Sequence, residues 1–257
     1  MPKFDEYARS YQFIKCERRD GILQMTLHTD GGPLRWGMEA QAEFVRAFND
    51  VGADRENRLI ILTGAGNEFS GPRLDPNAEF FHGAKLTPAG VHQIFSNARR
   101  LVTAHLAVEV PIIAAVNGPA MRHADLALMC DIVIASDDAT FEDTAHFHNG
   151  SIVSGDGINV VYTMLLGLNR ARYLMLTGQV LGAKEAKEMG LVAELMPREK
   201  LMPRAWELAR QLTKKSDMLL RYTRAALTHP LKRLIDESLP YYLALETLST
   251  LDKTADK

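Results

Sequence analysis

The chain is poor in cysteine, in net charge and in long apolar runs, and each shortage removes a class of function. Its two cysteines, Cys16 and Cys130, lie far apart without metal-ligand spacing, so no disulfide framework and no zinc site is expected. Cys130 falls in an apolar run and reads as a small core residue. Lys and Arg number 30 against 32 Asp and Glu, a balance that offers no electrostatic footprint for nucleic acid or an anionic membrane. No apolar run reaches membrane-spanning length. The first eleven residues, MPKFDEYARSY, carry acids and lack the apolar core of a signal peptide, so a cytoplasmic location is expected. A nucleophile elbow, a P-loop, a dinucleotide fingerprint and a zincin motif are all missing. No cofactor and no metal are therefore expected.

What remains is an ordinary globular composition over 257 residues, 46% hydrophobic and 24% charged, enough for one large domain or one and a half. Residues 13–18 and 22–28 read as strands about an Asp20-Gly21 turn, a hairpin signal. Residues 59–62, 111–116 and 132–135 are short apolar strands, and 191–196 reads as a last one. Helical spacing marks residues 40–51, through Ala40, Phe44, Ala47, Phe48 and Val51, and residues 91–106. Residues 124–130 and several pieces after 158 also read as helix. Residues 67–85 form a long irregular loop that contains His82. Pro230 and Pro240 are expected to interrupt or kink the final helices. Short strands alternating with helices, then a helical last third, predict an α/β architecture.

One stretch, residues 141–157, concentrates the chemistry: F-E-D-T-A-H-F-H-N-G-S-I-V-S-G-D-G. It lacks helical or alternating periodicity and reads as an ordered loop, the usual seat of catalytic groups. His146 and Asp156 are read as a general-base pair. A carboxylate that holds one ring N–H leaves the other nitrogen free to take a proton from water. The plainer role for Asp156 is an N-cap of the helix that follows. His148 rivals His146, since the two share a side in extended backbone. His123, read as starting a helix, is expected to donate a hydrogen bond to a developing oxyanion, its imidazole kept neutral by the helix dipole. Trp36 can point an indole N–H into an apolar pocket. Glu246, on the last helix among Leu243, Ala244, Leu245 and Leu248, reads either as a solvated charge or as a partly buried one.

Three runs carry a resemblance: Arg58 to Gly64 as RLIILTG, Pro111 to Ala120 as PIIAAVNGPA, and Leu126 to Asp131 as LALMCD. With Thr177-Gly178 and residues 183–192 they resemble the crotonase (enoyl-CoA hydratase/isomerase) superfamily over nearly the whole chain. The resemblance implies a ββα spiral core, placed at residues 1–195, and a C-terminal helical trimerisation region at 196–257. It also implies assembly as homotrimers or as hexamers of two trimers.

The departures from that family are specific. Its CoA-dependent hydratases have a glycine run and then a catalytic Glu after the Asn-Gly motif; here the segment is Arg122-His123-Ala124-Asp125-Leu126. No acid stands at the second Glu position, near 145–147, and Gly71-Pro72-Arg73-Leu74 replaces the first oxyanion motif. The pattern is similar to the β-diketone hydrolase branch typified by 6-oxocamphor hydrolase. In that branch His123, His146 and Asp156 match catalytic positions, while Trp36 and Glu246 match pocket positions. A further pocket His is Gln41 here. The resemblance implies hydrolysis of a carbon–carbon bond in a cyclic or bicyclic 1,3-diketone, a small-molecule substrate, by a retro-Claisen reaction. The alternatives are a CoA-thioester hydratase or isomerase using an acid such as Asp125, and a catalytically inactive binding or assembly subunit.

Overall fold

The computed structural model describes residues 3–72 and 87–255. Its elements run α1 (Phe4–Tyr7), β1 (Ile14–Arg19), β2 (Ile22–Leu27), α2 (Met38–Ala53), β3 (Leu59–Gly64) and α3 (Pro88–Ala107). There follow β4 (Ile112–Val116), α4 (Asp125–Leu128), β5 (Ile132–Ser136), β6 (Thr140–Phe141), α5 (Phe147–Gly150) and α6 (Ile158–Leu166). The chain finishes with α7 (Leu168–Thr177), β7 (Leu181–Gly182), α8 (Ala183–Glu188), β8 (Glu194–Met196), α9 (Arg198–Leu212) and α10 (Asp217–Ala255). His82, Arg73 and Leu74 lie outside the described residues.

Among the described residues six strands form one sheet in the order β1-β2-β3-β4-β5-β8, and β6 and β7 make a separate antiparallel pair. The β1–β2 hairpin forms as the Asp20-Gly21 signal predicts, with φ of 52° and 75° at those two residues. Glycine enters that left-handed region freely, and aspartate tolerates it. From β2 onward every pairing in the large sheet is parallel. A parallel sheet is covered on both faces, so its strands are apolar without alternation. Accordingly β3 and β4 are buried along their whole length.

The two faces still differ. Ile60, Leu62, Ile112, Ala114 and Val116 point into the main core with α2, α3 and α6. Ile22, Leu59, Ile61, Ile113, Ala115 and Ile134 face Leu201, Ala205 and Ala209 of α9. The boundary expected at residue 195 falls inside β8, and α9 beyond it closes the second face of the sheet.

The C-terminal region differs from expectation. α10 runs unbroken through Pro230 and Pro240, where the sequence predicts an interruption or a kink. Proline removes one i→i−4 hydrogen bond. The carbonyls deprived here belong to Ala226 and Asp236, both exposed residues, so water can replace the lost donors.

Candidate active site

Three isolated parallel bridges gather the site from separate parts of the chain: Arg35 with Gly71, Ser70 with Ala120, and Ala120 with Phe141. Backbone and side-chain bonds reinforce them. The Trp36 N–H donates to the Gly71 carbonyl at 2.7 Å, and the Met121 N–H to the Ser70 carbonyl at 2.8 Å. The buried Ser70 hydroxyl donates to the Arg122 carbonyl at 2.5 Å, and the Thr144 hydroxyl to the Met121 carbonyl at 2.6 Å. Glu142 N–H donates to the Ala120 carbonyl at 3.0 Å. Trp36, His123 and His146, far apart in sequence, thus hang from one short ladder.

His146 is buried, 3% exposed. Its Nδ1 lies 2.7 Å from Asp143 Oδ1, and an ionised carboxylate can only accept, so the proton sits on Nδ1. This corrects the sequence reading, in which Asp156 holds the ring. Asp156 Oδ2 instead stands 3.5 Å from the opposite nitrogen, Nε2, beyond ordinary hydrogen-bond length. Glu246 Oε1 is 3.9 Å from the same Nε2. Asp156 also keeps part of its capping role, since its Oδ1 accepts from the Ile158 N–H at 3.4 Å. The segment is not wholly loop: α5 starts at Phe147, turns His148 to the exterior and leaves only His146 among the acids.

The electrostatics follow from this crowding. Burial works to lower the His146 pKa, but Asp143, then Asp156 and Glu246, push it up to about 10. Burial would raise Asp143, yet His146 and the hydroxyl of Ser154 hold it below the usual carboxylate range. Burial, with Asp156 beside it, pushes Glu246 up to about 7 against the opposing pull of the two histidines. Arg122, buried behind these groups, is brought down to about 10 by burial, while Asp156 and Asp143 oppose that fall. Its charge offsets part of the acidic cluster.

His123 does not sit in a helix. It has a left-handed φ of 51° and precedes α4, which is four residues long. The dipole argument made from sequence therefore loses its basis; what faces Nδ1 is a pair of carboxylates, Asp125 Oδ1 and Asp156 Oδ2, each at 3.5 Å. Asp125 is fully buried, and burial raises its pKa. Trp36 lies against the His123 ring, centroids 4.1 Å apart and tilted 33°, and meets Phe44 edge-on at 5.2 Å. Gln41 is buried on α2. Asp156 thus stands between the two imidazoles, 3.5 Å from each.

Glu246 reaches the site because α10 crosses close to Gly155. A Cβ on Gly155 would stand 2.2 Å from the Tyr242 carbonyl oxygen and 2.7 Å from Glu246 Cβ. Only glycine permits that approach. Gly155→Ala is expected to push α10 outward, costing about 1–3 kcal/mol by overpacking and lowering kcat as Glu246 withdraws. Thermal unfolding together with kinetics would check it; a variant with parental stability and kcat would show that the contact is not needed.

The atoms Nε2 of His146, a carboxylate oxygen of Asp156 and one of Glu246 lie within 4.8 Å of one another. All three can reach a single oxygen placed about 2.8 Å from each. A divalent cation could use the same three donors, but a histidine this basic favours a proton over a metal. The structure brings together all five residues singled out in the sequence: His146, Asp156, His123, Trp36 and Glu246. Sequence reasoning missed the contacts of Asp143 with His146 and of Ser154 with Asp143. The acid three residues before His146 was the available signal.

Comparison with known proteins fits this architecture. The family model for enoyl-CoA hydratase/isomerase matches residues 17–249. The chain belongs to the enoyl-CoA hydratase/isomerase family. It has the crotonase fold, as the resemblance implied. A Mycobacterium tuberculosis protein named "Probable enoyl-CoA hydratase EchA12" is 30% identical over 221 residues, covering 80% of this chain and 73% of that protein. Among solved structures, a β-diketone hydrolase from the cyanobacterium Anabaena sp. PCC 7120, bound to (S)-3-oxocyclohexyl acetic acid, superimposes with a TM-score of 0.91. It is 38% identical and the match covers 97% of this chain and 98% of that one. An enoyl-CoA hydratase/isomerase from Mycobacterium paratuberculosis shares the fold at 23% identity, with a TM-score of 0.84 over 93% of this chain and 94% of that one. Among the described residues, no helix is long and apolar enough to cross a membrane.

Proposed function

We propose that this family member hydrolyses a carbon–carbon bond of a cyclic or bicyclic 1,3-diketone and releases a keto acid. The observation that carries the reading is the convergence of His146 Nε2, Asp156 and Glu246 on one point beside His123, a set suited to activating water. Neutral His146 takes a proton from that water at Nε2. The oxygen adds to one carbonyl carbon and gives a tetrahedral oxyanion, to which His123 donates a hydrogen bond. The bond to the central carbon then breaks, and its electron pair passes into the enolate of the second carbonyl. Protonation of that carbon, returning the proton held by His146, completes the ketone, and the water oxygen stays in the new carboxylate. The second carbonyl is the electron sink, so no cofactor is required. Trp36 sets the face on which the substrate carbonyl lies.

Two features support this reading over a thioester reaction. The chain has no acid at the second Glu position of the hydratases, and its 38% identity to the Anabaena β-diketone hydrolase exceeds its identity to the hydratase structure. The ligand of the Anabaena structure contains a ketone and a carboxylic acid, the two groups such a cleavage leaves. The second reading, an enoyl-CoA hydratase or isomerase, draws support from the names of the sequence relatives; Asp125 is its candidate acid. A trimer or a dimer of trimers fits the exposed apolar side chains Met218, Leu219, Tyr222 and Leu227 on α10.

The test is mass spectrometry of a panel of cyclic and bicyclic 1,3-diketones in heavy-oxygen water. One labelled oxygen in a keto-acid product is the expected result. No cleavage anywhere in the panel, with turnover of a 2-enoyl-CoA, would replace this reading with the thioester one.

A further inference from the structure

We propose that Asp143, braced by Ser154, is the positioning residue for the catalytic imidazole of His146, which leaves Asp156 to act on the water and substrate side. The proposal rests on His146 being the base. Three observations carry it. Asp143 Oδ1 accepts from His146 Nδ1 at 2.7 Å, whereas Asp156 meets the ring at the other nitrogen and at 3.5 Å. The second oxygen of Asp143 is held in turn: the Ser154 hydroxyl donates to Oδ2 at 2.9 Å. And the Asp143 side chain is only 9% exposed, so water competes poorly for either oxygen.

The arrangement has a clear chemical consequence. A base that takes a proton at Nε2 must carry its own proton at Nδ1, and the free histidine side chain does not favour that tautomer. A carboxylate fixed at Nδ1 selects it, orients the ring and stabilises the imidazolium that forms. Asp156 cannot do this, because it faces the nitrogen that must accept. The bond is also local: Asp143 and His146 are three residues apart and join just before α5 begins, so the ring is aimed before α10 delivers Glu246. Ser154 belongs to the next turn of the same segment and closes it into a loop through Asp143.

The experiment pairs kinetics with nitrogen-15 NMR of the histidine rings, at several pH values, on the full chain. Asp143→Asn is expected to lower kcat roughly 10²-fold, with KM held within about threefold. It should also lower the midpoint of the rising limb of kcat/KM against pH, because one of the carboxylates facing His146 is lost while Asp156 and Glu246 remain. In the spectra the parent should show His146 with its proton on Nδ1 once neutral, and Asp143→Asn should shift the proton toward Nε2. Ser154→Ala should move kcat and midpoint in the same direction by less, about threefold to tenfold in kcat. A folded Asp143→Asn variant with parental kcat, midpoint and tautomer would overturn the proposal. Should that variant not fold, an unchanged Ser154→Ala would overturn it equally. His146→Ala separates the two readings: if it stays active, His146 is not the base at all, whereas an inactive His146→Ala beside a fully active Asp143→Asn removes the positioning role alone.

Discussion

Replacing His146 with alanine is expected to lower kcat by about 10²–10⁴-fold, the range that a positioned general base contributes. The residue is buried with its two nitrogens facing Asp143 and Asp156, so alanine also takes from those carboxylates and Glu246 the cation between them and leaves Arg122 to offset the cluster. Removing one partner of such a buried arrangement costs about 3–5 kcal/mol. Lost activity could then reflect a lost fold, and His146→Gln is the necessary companion. The glutamine amide keeps donors and volume but cannot take a proton, so it should reproduce the kinetic loss with a smaller change in Tm. Circular dichroism and steady-state kinetics on both variants decide the matter. A His146→Gln protein with near-parental kcat would reject the base assignment.

Turnover should climb with pH. With His146 pushed up to about 10 in the free protein, the neutral imidazole that accepts a proton is a minority form at pH 7. Its population grows about tenfold per pH unit, so kcat/KM should rise at nearly that slope from pH 7 toward 10. The substrate should be a 1,3-diketone with two alkyl groups on its central carbon, which cannot ionise there and mask the limb. A flat profile over this range would mean that the imidazolium is the working form and that Asp156 takes the proton from water.

Stability should move the other way. The folded pKa of His146 lies above its ordinary 6.5, so the folded state holds the proton more tightly. That contribution is complete below about pH 6.5 and is lost as pH rises through 10. Glu246, raised from 4.5 to about 7, is also more easily protonated when folded, and stability should decline between those values too. Urea midpoints across pH 5–10 would show this descent, and His146→Gln should remove its alkaline part.

Much of the fold was legible because parallel strands buried on both faces leave unmistakable runs, as at Leu59 to Leu62 and Ile112 to Val116. The final helix was not: Pro230 and Pro240 are local breaking signals, and only the exposure of Ala226 and Asp236 makes them tolerable. In the site, the residue types at His123, His146 and Asp156 were visible, but which oxygen meets which nitrogen depends on backbone turns at 143–157. Asp143 and Asp156 are equally good carboxylates on paper; the start of α5 gives Nδ1 to the nearer one. His123 was misplaced for a similar reason, since a single left-handed residue ahead of a four-residue helix leaves no trace in periodicity.

The placement of Glu246 on the last helix bears on how the protein is made. A chain still attached to the ribosome can already carry Trp36, both imidazoles and the two aspartates, yet α10 has still to dock beside Gly155. Synthesis therefore completes the site only after every strand of the large sheet has been made.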